Sequence, residues 1–178
     1  MVRQRAELHP RAHGRALDIG ASLSTVLPAP RLTSLERIEP DHLLSYAGVR
    51  DPLLPPSASS PPAGPGAVFD SILGVAGLCH QPDLPLAVVA LDRLLAPGGE
   101  IVLVEPTRGR SLLGDVVGPR LAPRRAVRGL HLQRDLPAAL RDAGFVPTEI
   151  VRFTVPTAVL PLRPWVRVAA RRGREMWV

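Results

Sequence analysis

The sequence predicts an α/β protein with a mostly parallel sheet and helices on both of its faces. Residues 68–75 and 101–104 are apolar runs of the kind that form strands buried on both faces. A helical pattern lies between them, and two parallel strands joined by a helix form a right-handed βαβ unit that needs further elements around it. At 178 residues, the chain is long enough for one domain with a sizeable core.

The helix of this central unit has recognisable ends. Asp83 is a suitable N-cap, and Pro85 suits the first turn. Pro97-Gly98-Gly99 ends the helix before the second strand. Spacings near three and four residues predict one apolar face, made of Leu86, Val89, Ala90, Leu94 and Leu95.

Two strands are predicted upstream, over residues 15–20 and 32–38. The first contains Asp18 and ends at Gly20, and the second is followed by Glu39. In nucleotide-binding α/β folds, an acidic residue about 20 positions after the glycine turn accepts both hydroxyls of a ribose diol. Glu39 fits that position, although an ordinary glutamate at a surface strand end produces the same spacing.

Downstream, residues 133–143 are predicted to form a helix that Asp135 caps and Gly144 ends. Strands are predicted over 145–153 and 162–170, and the last is expected to run antiparallel beside the other. Residues 1–14 read as a basic N-terminal arm, 51–66 as a Pro/Ser-rich loop and 172–178 as a basic tail. The domain is therefore predicted to cover 15–171.

Composition limits the classes of function. The net charge is +6 and the isoelectric point is near 11.2, and all 22 basic residues are arginines. They are scattered except at 120–128 and 171–174, and both of these clusters lack aromatic stacking platforms, which argues against nucleic-acid binding. No apolar run is long enough for a membrane span, and no signal peptide is evident, so a cytoplasmic protein is expected. The single Cys79 excludes an internal disulfide and a multi-cysteine metal site; no metal site is predicted.

Several short motifs together resemble a known family. They are Asp18-Ile19-Gly20, Glu39-Pro40-Asp41, Phe69-Asp70, the stretch LDRLLAPGG at 91–99 and Ala143-Gly144-Phe145. In their order and spacing, these motifs resemble those of the class I S-adenosylmethionine-dependent methyltransferases, which have a Rossmann-like sheet. The resemblance is strongest to the type 11, small-molecule branch of that family. Leu78-Cys79 and the ending from Arg163-Pro164 through Ala169 look like the thiol-methyltransferase-like subgroup. The resemblance covers about 15–171.

The resemblance implies a cofactor, S-adenosyl-L-methionine, and the residues that bind it. These would be Asp18, Gly20, Ser22, Glu39, Gly74 and Leu78. Ser22 and Ser24 stand where the family has glycines, and the third strand expected between Asp41 and Phe69 is shortened or lost. His80, just past the cleft strand, is the candidate general base; the alternative is a loop histidine with a partner at the strand end. Cys79 reads as a buried apolar residue rather than a nucleophile.

The first functional hypothesis is methyl transfer from S-adenosylmethionine to a small-molecule acceptor. In-line transfer to a strong nucleophile needs positioning more than acid–base groups, which agrees with the absence of a catalytic pair in the sequence. The alternative, prompted by Ser22 and Ser24, is a catalytically degenerate methyltransferase-like domain with an interaction or regulatory role. A third hypothesis, a nucleic-acid methyltransferase, rests on the basic charge alone. The oligomeric state is not predicted.

Overall fold

The computed structural model describes residues 11–20, 31–49, 68–107, 129–132, 134–155 and 164–173. Within these ranges the strands are β1 (Gly14–Gly20), β2 (Leu32–Ile38), β3 (Phe69–Val75), β4 (Leu95–Pro106), β5 (Phe145–Thr154) and β6 (Pro164–Arg172). The α-helices are α1 (Leu43–Tyr46), α2 (Leu84–Leu94) and α3 (Leu136–Asp142), and short 3-10 turns cover Pro40–His42 and Leu78–His80. None of these helices is long and apolar enough to cross a membrane.

The strands form one sheet in the order β2-β1-β3-β4-β6-β5. β1 pairs in parallel with β2 and β3, and β3 pairs in parallel with β4. β6 lies between β4 and β5 and runs antiparallel to both. The predicted mostly parallel sheet with an antiparallel last strand is thus confirmed. The shortened third strand and the 51–66 loop fall outside the described residues.

One face of the sheet packs against all three described helices. Its apolar side chains include Leu17, Ile19, Ile72, Ile101 and Leu103, each fully buried. The buried face of α2 consists of Leu84, Ala87, Val88, Ala90, Leu91 and Leu94. The prediction that Val89 lies on this face was wrong, because Val89 is 41% exposed. The helix packs on the sheet through the side that carries residues 84, 87, 88 and 91.

The opposite face of the sheet has its own apolar cluster. Leu73, Val75, Val102 and Val104 are buried there together with Trp165. The strands at the centre of the sheet are therefore buried on both faces, as their continuous apolar runs predicted. Within the described part of the chain, no helix lies on this second face.

The Pro-Gly-Gly segment lies in an irregular part of β4 rather than at the end of α2. Phe69 pairs with Leu95 and Ser71 with Glu100, so residues 96–99 bulge out of the ladder. Gly98 has a φ of +78°, which favours glycine. A Cβ on Gly99 would come within 3.0 Å of the Asp70 carbonyl oxygen. Gly98 therefore permits the backbone turn of the bulge, and Gly99 permits the close approach of β4 to β3.

The folded domain extends beyond its predicted boundaries. Ala12 is only 1% exposed, and Gly14 already begins β1, so residues 11–14 belong to the domain rather than to the arm. At the other end, Arg172 is the last residue of β6, and its guanidinium donates to Asp92 over 2.7 Å.

Candidate functional site

The carboxyl ends of β1, β2 and β3 meet at one edge of the sheet. Ile19 pairs with Ile38 on one side and with Gly74 on the other. Glu39, which follows Ile38, therefore comes beside Gly20. The chain passes from β1 outward to β2 and then back across to β3, so this edge is the switch point at which open α/β sheets bind ligands.

Asp18 is a half-buried carboxylate within β1. Its Oδ2 lies 3.5 Å from the Nε of Arg37, the residue that pairs with it across the β1–β2 ladder. The two side chains are 24% and 43% exposed. An ion pair this exposed contributes at most about 1 kcal/mol, so a ligand can compete with it.

Glu39 lies at the end of β2 with its carboxylate exposed. Its backbone is extended (φ −69°, ψ 145°), and its carbonyl oxygen accepts the N–H of His42 over 3.0 Å. The side chain does not cap the 3-10 turn that follows. Among the described residues nothing donates to this carboxylate, so it is free to accept hydroxyl groups from a ligand.

The segment after β3 turns sharply against the end of β1. Ala76 has a φ of 54°, uncommon for a residue with a side chain, and its N–H donates to the Val104 carbonyl over 2.9 Å. A Cβ on Gly77 would lie 2.8 Å from the Ile19 oxygen, and one on Gly74 would lie 2.8 Å from Leu103 Cδ2. Close packing on backbone thus requires glycine at 77, whereas a Cβ at 74 would chiefly displace the end of the Leu103 side chain.

Glu105 at the end of β4 holds this turn, a role that sequence reasoning missed. Its carboxylate accepts the N–H groups of Gly77, Leu78 and Cys79 over 2.9, 2.8 and 3.0 Å. The residue is 4% exposed. Burial raises the pKa of Glu105 to about 7, against the opposing effect of the three N–H groups. The signal in the sequence was an acidic residue ending an otherwise apolar strand.

Gln81 connects the segment after β3 with the segment after β2. Its side-chain Nε2 donates to the carbonyl of Pro40, and its own N–H donates to the Leu78 carbonyl over 3.1 Å. Arg134 in turn donates to the carbonyls of Gln81 and Pro82, and His131 N–H donates to that of Cys79 over 2.7 Å. No local sequence pattern marked these residues, because each contact joins distant segments.

Leu78, Cys79 and His80 form the 3-10 turn at the cleft. Leu78 is 2% exposed, and its side chain is part of the hydrophobic core. Cys79 is buried, as predicted, and burial raises the pKa of its thiol above the usual range. His80 is half-buried, and no described residue hydrogen-bonds its ring. Its role as a base stays a prediction.

The predicted site residues are thus partly brought together. Asp18, Gly20, Glu39 and Gly74 lie at one edge of the sheet, with the turn that carries Leu78 and His80 beside them. Ser22, with Ser24, lies outside the described residues. The assignment of these residues to cofactor binding stays a prediction.

No protein-family model and no curated protein sequence matches the chain. Solved structures do match its fold. The YcgJ protein from Bacillus subtilis superposes with a TM-score of 0.67 at 14% identity, over 98% of this chain and 100% of that one. The N-methyltransferase NodS from Bradyrhizobium japonicum gives 0.61 at 17% identity, over 97% of both chains, and has also been solved with S-adenosyl-L-homocysteine.

The [4+2]-cyclase SpnF matches with a TM-score of 0.58 at 14% identity, over 96% of this chain and 81% of its own. At these identities the comparisons establish the fold alone. The protein has the class I methyltransferase fold, as its motifs predicted. The type 11 branch and its thiol-methyltransferase-like subgroup stay predictions. Since a cyclase also has this fold, activity must be argued from the site.

Proposed function

We propose that the protein is an S-adenosylmethionine-dependent methyltransferase that acts on a small molecule. The observation that carries this proposal is the exposed carboxylate of Glu39, to which no described residue donates, beside Gly20 at the switch point of the sheet. A carboxylate in this place can accept two hydroxyl groups at once, which suits the ribose diol of the cofactor.

The residues at the edge fit such a cofactor. Glu39 would hold the ribose, and Gly20 at the end of β1 allows close approach of a ligand to the backbone. Asp18 lies one strand position before Ile19 and is only weakly engaged by Arg37. The bound cofactor would supply an electrophilic methyl group on a sulfonium sulfur. The role of the protein would be to bind the cofactor, orient the acceptor against its methyl group and exclude water.

His80 is the residue of the turn best placed to take a proton from the acceptor. It follows the buried Leu78 and Cys79 in the turn after β3 and is itself half-exposed. An acceptor that is already a strong nucleophile, such as a thiolate, would not need this base. A dependence of the rate on His80 therefore distinguishes the two kinds of acceptor.

A small molecule is a better acceptor than nucleic acid because many arginines are already paired. Among the described residues, six arginines lie within ion-pair distance of carboxylates: Arg11, Arg15, Arg37, Arg167, Arg171 and Arg172. Their charges are largely compensated within the fold. These six arginines therefore do not form an uncompensated basic surface that a phosphate backbone would contact.

A degenerate, non-catalytic domain is the second candidate, and the Asp18–Arg37 ion pair favours it. In that case the Asp18 carboxylate would stabilise the pairing of β1 with β2 rather than bind a ligand. Ser22 and Ser24 in place of glycines support the same view, because a Cβ restricts both positive φ and close approach. Such a domain would fold stably without affinity for the cofactor.

Calorimetric titration with S-adenosylmethionine and S-adenosylhomocysteine separates the two candidates. The methyltransferase is expected to bind both, with affinity reduced at least about tenfold by Glu39→Ala, which corresponds to a loss of roughly 1.4 kcal/mol. Asp142→Ala removes an exposed carboxylate at the end of α3 and serves as the control with unchanged affinity. A stable wild-type protein that binds neither compound at millimolar concentration would rule the proposal out in favour of the degenerate domain.

A further inference from the structure

The carboxylate of Glu105 is enclosed by three successive backbone N–H groups. Oε1 accepts from Gly77 and Leu78, and Oε2 accepts from Cys79. Glu105 is only 4% exposed, so the three N–H groups depend on its side chain rather than on bulk water as acceptor. Without this side chain, three buried N–H groups would lose their partners, so Glu105 determines the shape of the turn.

This turn contacts the end of β1 and the segment that follows β2, which form the other two sides of the candidate site. The Gly77 backbone packs so closely on β1 that a Cβ there would lie 2.8 Å from the Ile19 oxygen. Farther along, Gln81 is bonded to Pro40, the residue after Glu39. A shift of the turn would therefore displace both the end of β1 and the end of β2.

The turn is also under strain, which some interaction must offset. Ala76, directly before the three donors, has a φ of 54°. A residue with a Cβ is rarely left-handed unless its surroundings impose that conformation. The contacts that hold this conformation are the bond from the Ala76 N–H to the Val104 carbonyl and the bonds of the next three residues to Glu105.

We propose that Glu105 is a positioning residue of the cofactor site, whose ionised carboxylate places the turn and His80 against the ends of β1 and β2. The part that concerns the cofactor rests on the proposed function; the part that concerns the turn rests on the geometry alone. The ionised form has two strong acceptor oxygens. A proton on Oε2 would make that oxygen a poorer acceptor and would weaken the bond from the Cys79 N–H.

The surroundings of Glu105 allow this change of charge near neutral pH. Burial raises its pKa to about 7. Beside it lies a cavity of about 20 Å³, room for roughly one water molecule. The titratable and charged groups at this cavity are Cys79 from the turn and His131 and Arg134 from the segment before α3. The other elements contribute apolar side chains: Leu84 from α2, Leu136 from α3 and Val166 from β6.

Three variants test the proposal. Glu105→Gln keeps one oxygen for Gly77 and Leu78 but turns an NH₂ group toward Cys79, and Glu105→Leu removes all three bonds. Glu100→Gln is the matched control, since Glu100 lies in the same strand, is 6% exposed and forms ion pairs with Arg171 and Arg11 away from the turn. The readouts are backbone amide signals and exchange by NMR, and calorimetric affinity for S-adenosylhomocysteine.

In the wild type, the amide proton of Cys79 is expected to titrate with a midpoint near pH 7, and this titration disappears in Glu105→Gln. Amide exchange at 77–79 should become at least about tenfold faster in Glu105→Leu. The affinity for S-adenosylhomocysteine should fall in the order wild type, Glu105→Gln, Glu105→Leu, with Glu100→Gln equal to the wild type.

Unchanged exchange at 77–79 in the Glu105 variants would overturn the proposal, as would a loss of affinity no larger than that of the Glu100 control. If Glu105→Leu does not fold, the proposal is tested by the titration of the Cys79 amide proton, which should be present in the wild type and absent in Glu105→Gln. If the wild type binds no S-adenosylhomocysteine, the proposed function fails. The exchange data then still show whether Glu105 positions the turn.

Discussion

A single side-chain hydrogen bond, from Gln81 Nε2 to the carbonyl of Pro40, joins the two sides of the candidate site across 41 residues of sequence. Gln81 is 3% exposed, and Pro40 is buried as well. Because Pro40 directly follows Glu39, the bond relates the exposed carboxylate at the end of β2 to the turn that carries His80. The Gln81 amide therefore contributes directly to the spacing between these two groups.

Gln81→Leu should lower both stability and cofactor affinity. The substitution keeps the volume of the side chain but removes one of two donors to the Pro40 carbonyl, which keeps the N–H of Leu43, at a cost of about 0.5–1.5 kcal/mol. Urea unfolding and titration with S-adenosylhomocysteine measure the two effects. Thr148→Val, which removes a side-chain bond to the Ala169 carbonyl elsewhere in the sheet, is the control for affinity. Equal affinity of Gln81→Leu and the wild type would refute the linking role.

Arg37→Gln should leave the stability nearly unchanged and should not weaken cofactor binding. The ion pair with Asp18 is partly exposed, so its loss costs less than about 1 kcal/mol. The substitution also releases the Asp18 carboxylate for a ligand. Asp18→Asn is expected to weaken binding in the same calorimetric experiment. If Arg37→Gln weakens binding as much as Asp18→Asn, the ion pair itself is part of the site.

Ala76→Gly should stabilise the protein. The left-handed conformation costs a residue with a Cβ about 1–2 kcal/mol, which exceeds the entropy that glycine adds to the unfolded chain. Thermal unfolding is therefore expected to show a higher Tm. Ala87→Gly, in the buried face of α2, is the matched control and should lower the Tm. A lower Tm for both variants would mean that the Ala76 methyl group contributes more by packing than it costs in strain.

The stability of the wild type should fall as the pH rises from about 4.5 to about 8. Because burial raises the folded-state pKa of Glu105 from its ordinary 4.5 to about 7, the folded state binds this proton more tightly than the unfolded state does. The stabilisation that this proton gives the folded state is fully present below pH 4.5 and is lost as the pH rises through 7.

Relative to Glu105→Gln, the wild type should thus lose on the order of 3 kcal/mol over this range. Urea unfolding of both proteins at several pH values measures the difference. A difference that does not vary with pH would mean that Glu105 titrates at its ordinary pKa in the folded protein.

Cys79 should react with thiol reagents only after unfolding. The residue is 5% exposed, and burial raises the pKa of its thiol, so the reactive thiolate is scarce in the native state. Labelling with iodoacetamide at pH 8, followed by mass spectrometry, should be complete in urea and slow in buffer. Rapid labelling of the native protein would indicate that the turn opens readily.

The parts of the fold that sequence reasoning predicted depend on local signals. Asp83 and Asp135 cap α2 and α3 by accepting the N–H groups of Leu86 and Ala138, as their positions before apolar helical patterns indicated. Gly144, with a φ of +85°, ends α3. The side of α2 that packs on the sheet was less predictable, since Val89 fits a helical spacing as well as Leu91 does.

The sequence by itself determined the succession of strands and helices, and with it the placing of Asp18 and Glu39 at neighbouring strand ends. Hydrophobic periodicity, caps and turn glycines act over a few residues, so they can be read along the chain. Tertiary structure alone decided that Glu105 bonds to a turn 26–28 residues away and that Arg134 bonds to Gln81 across 53. A hydrogen bond requires atoms within about 3 Å, and for distant segments that distance is set by strand order and register.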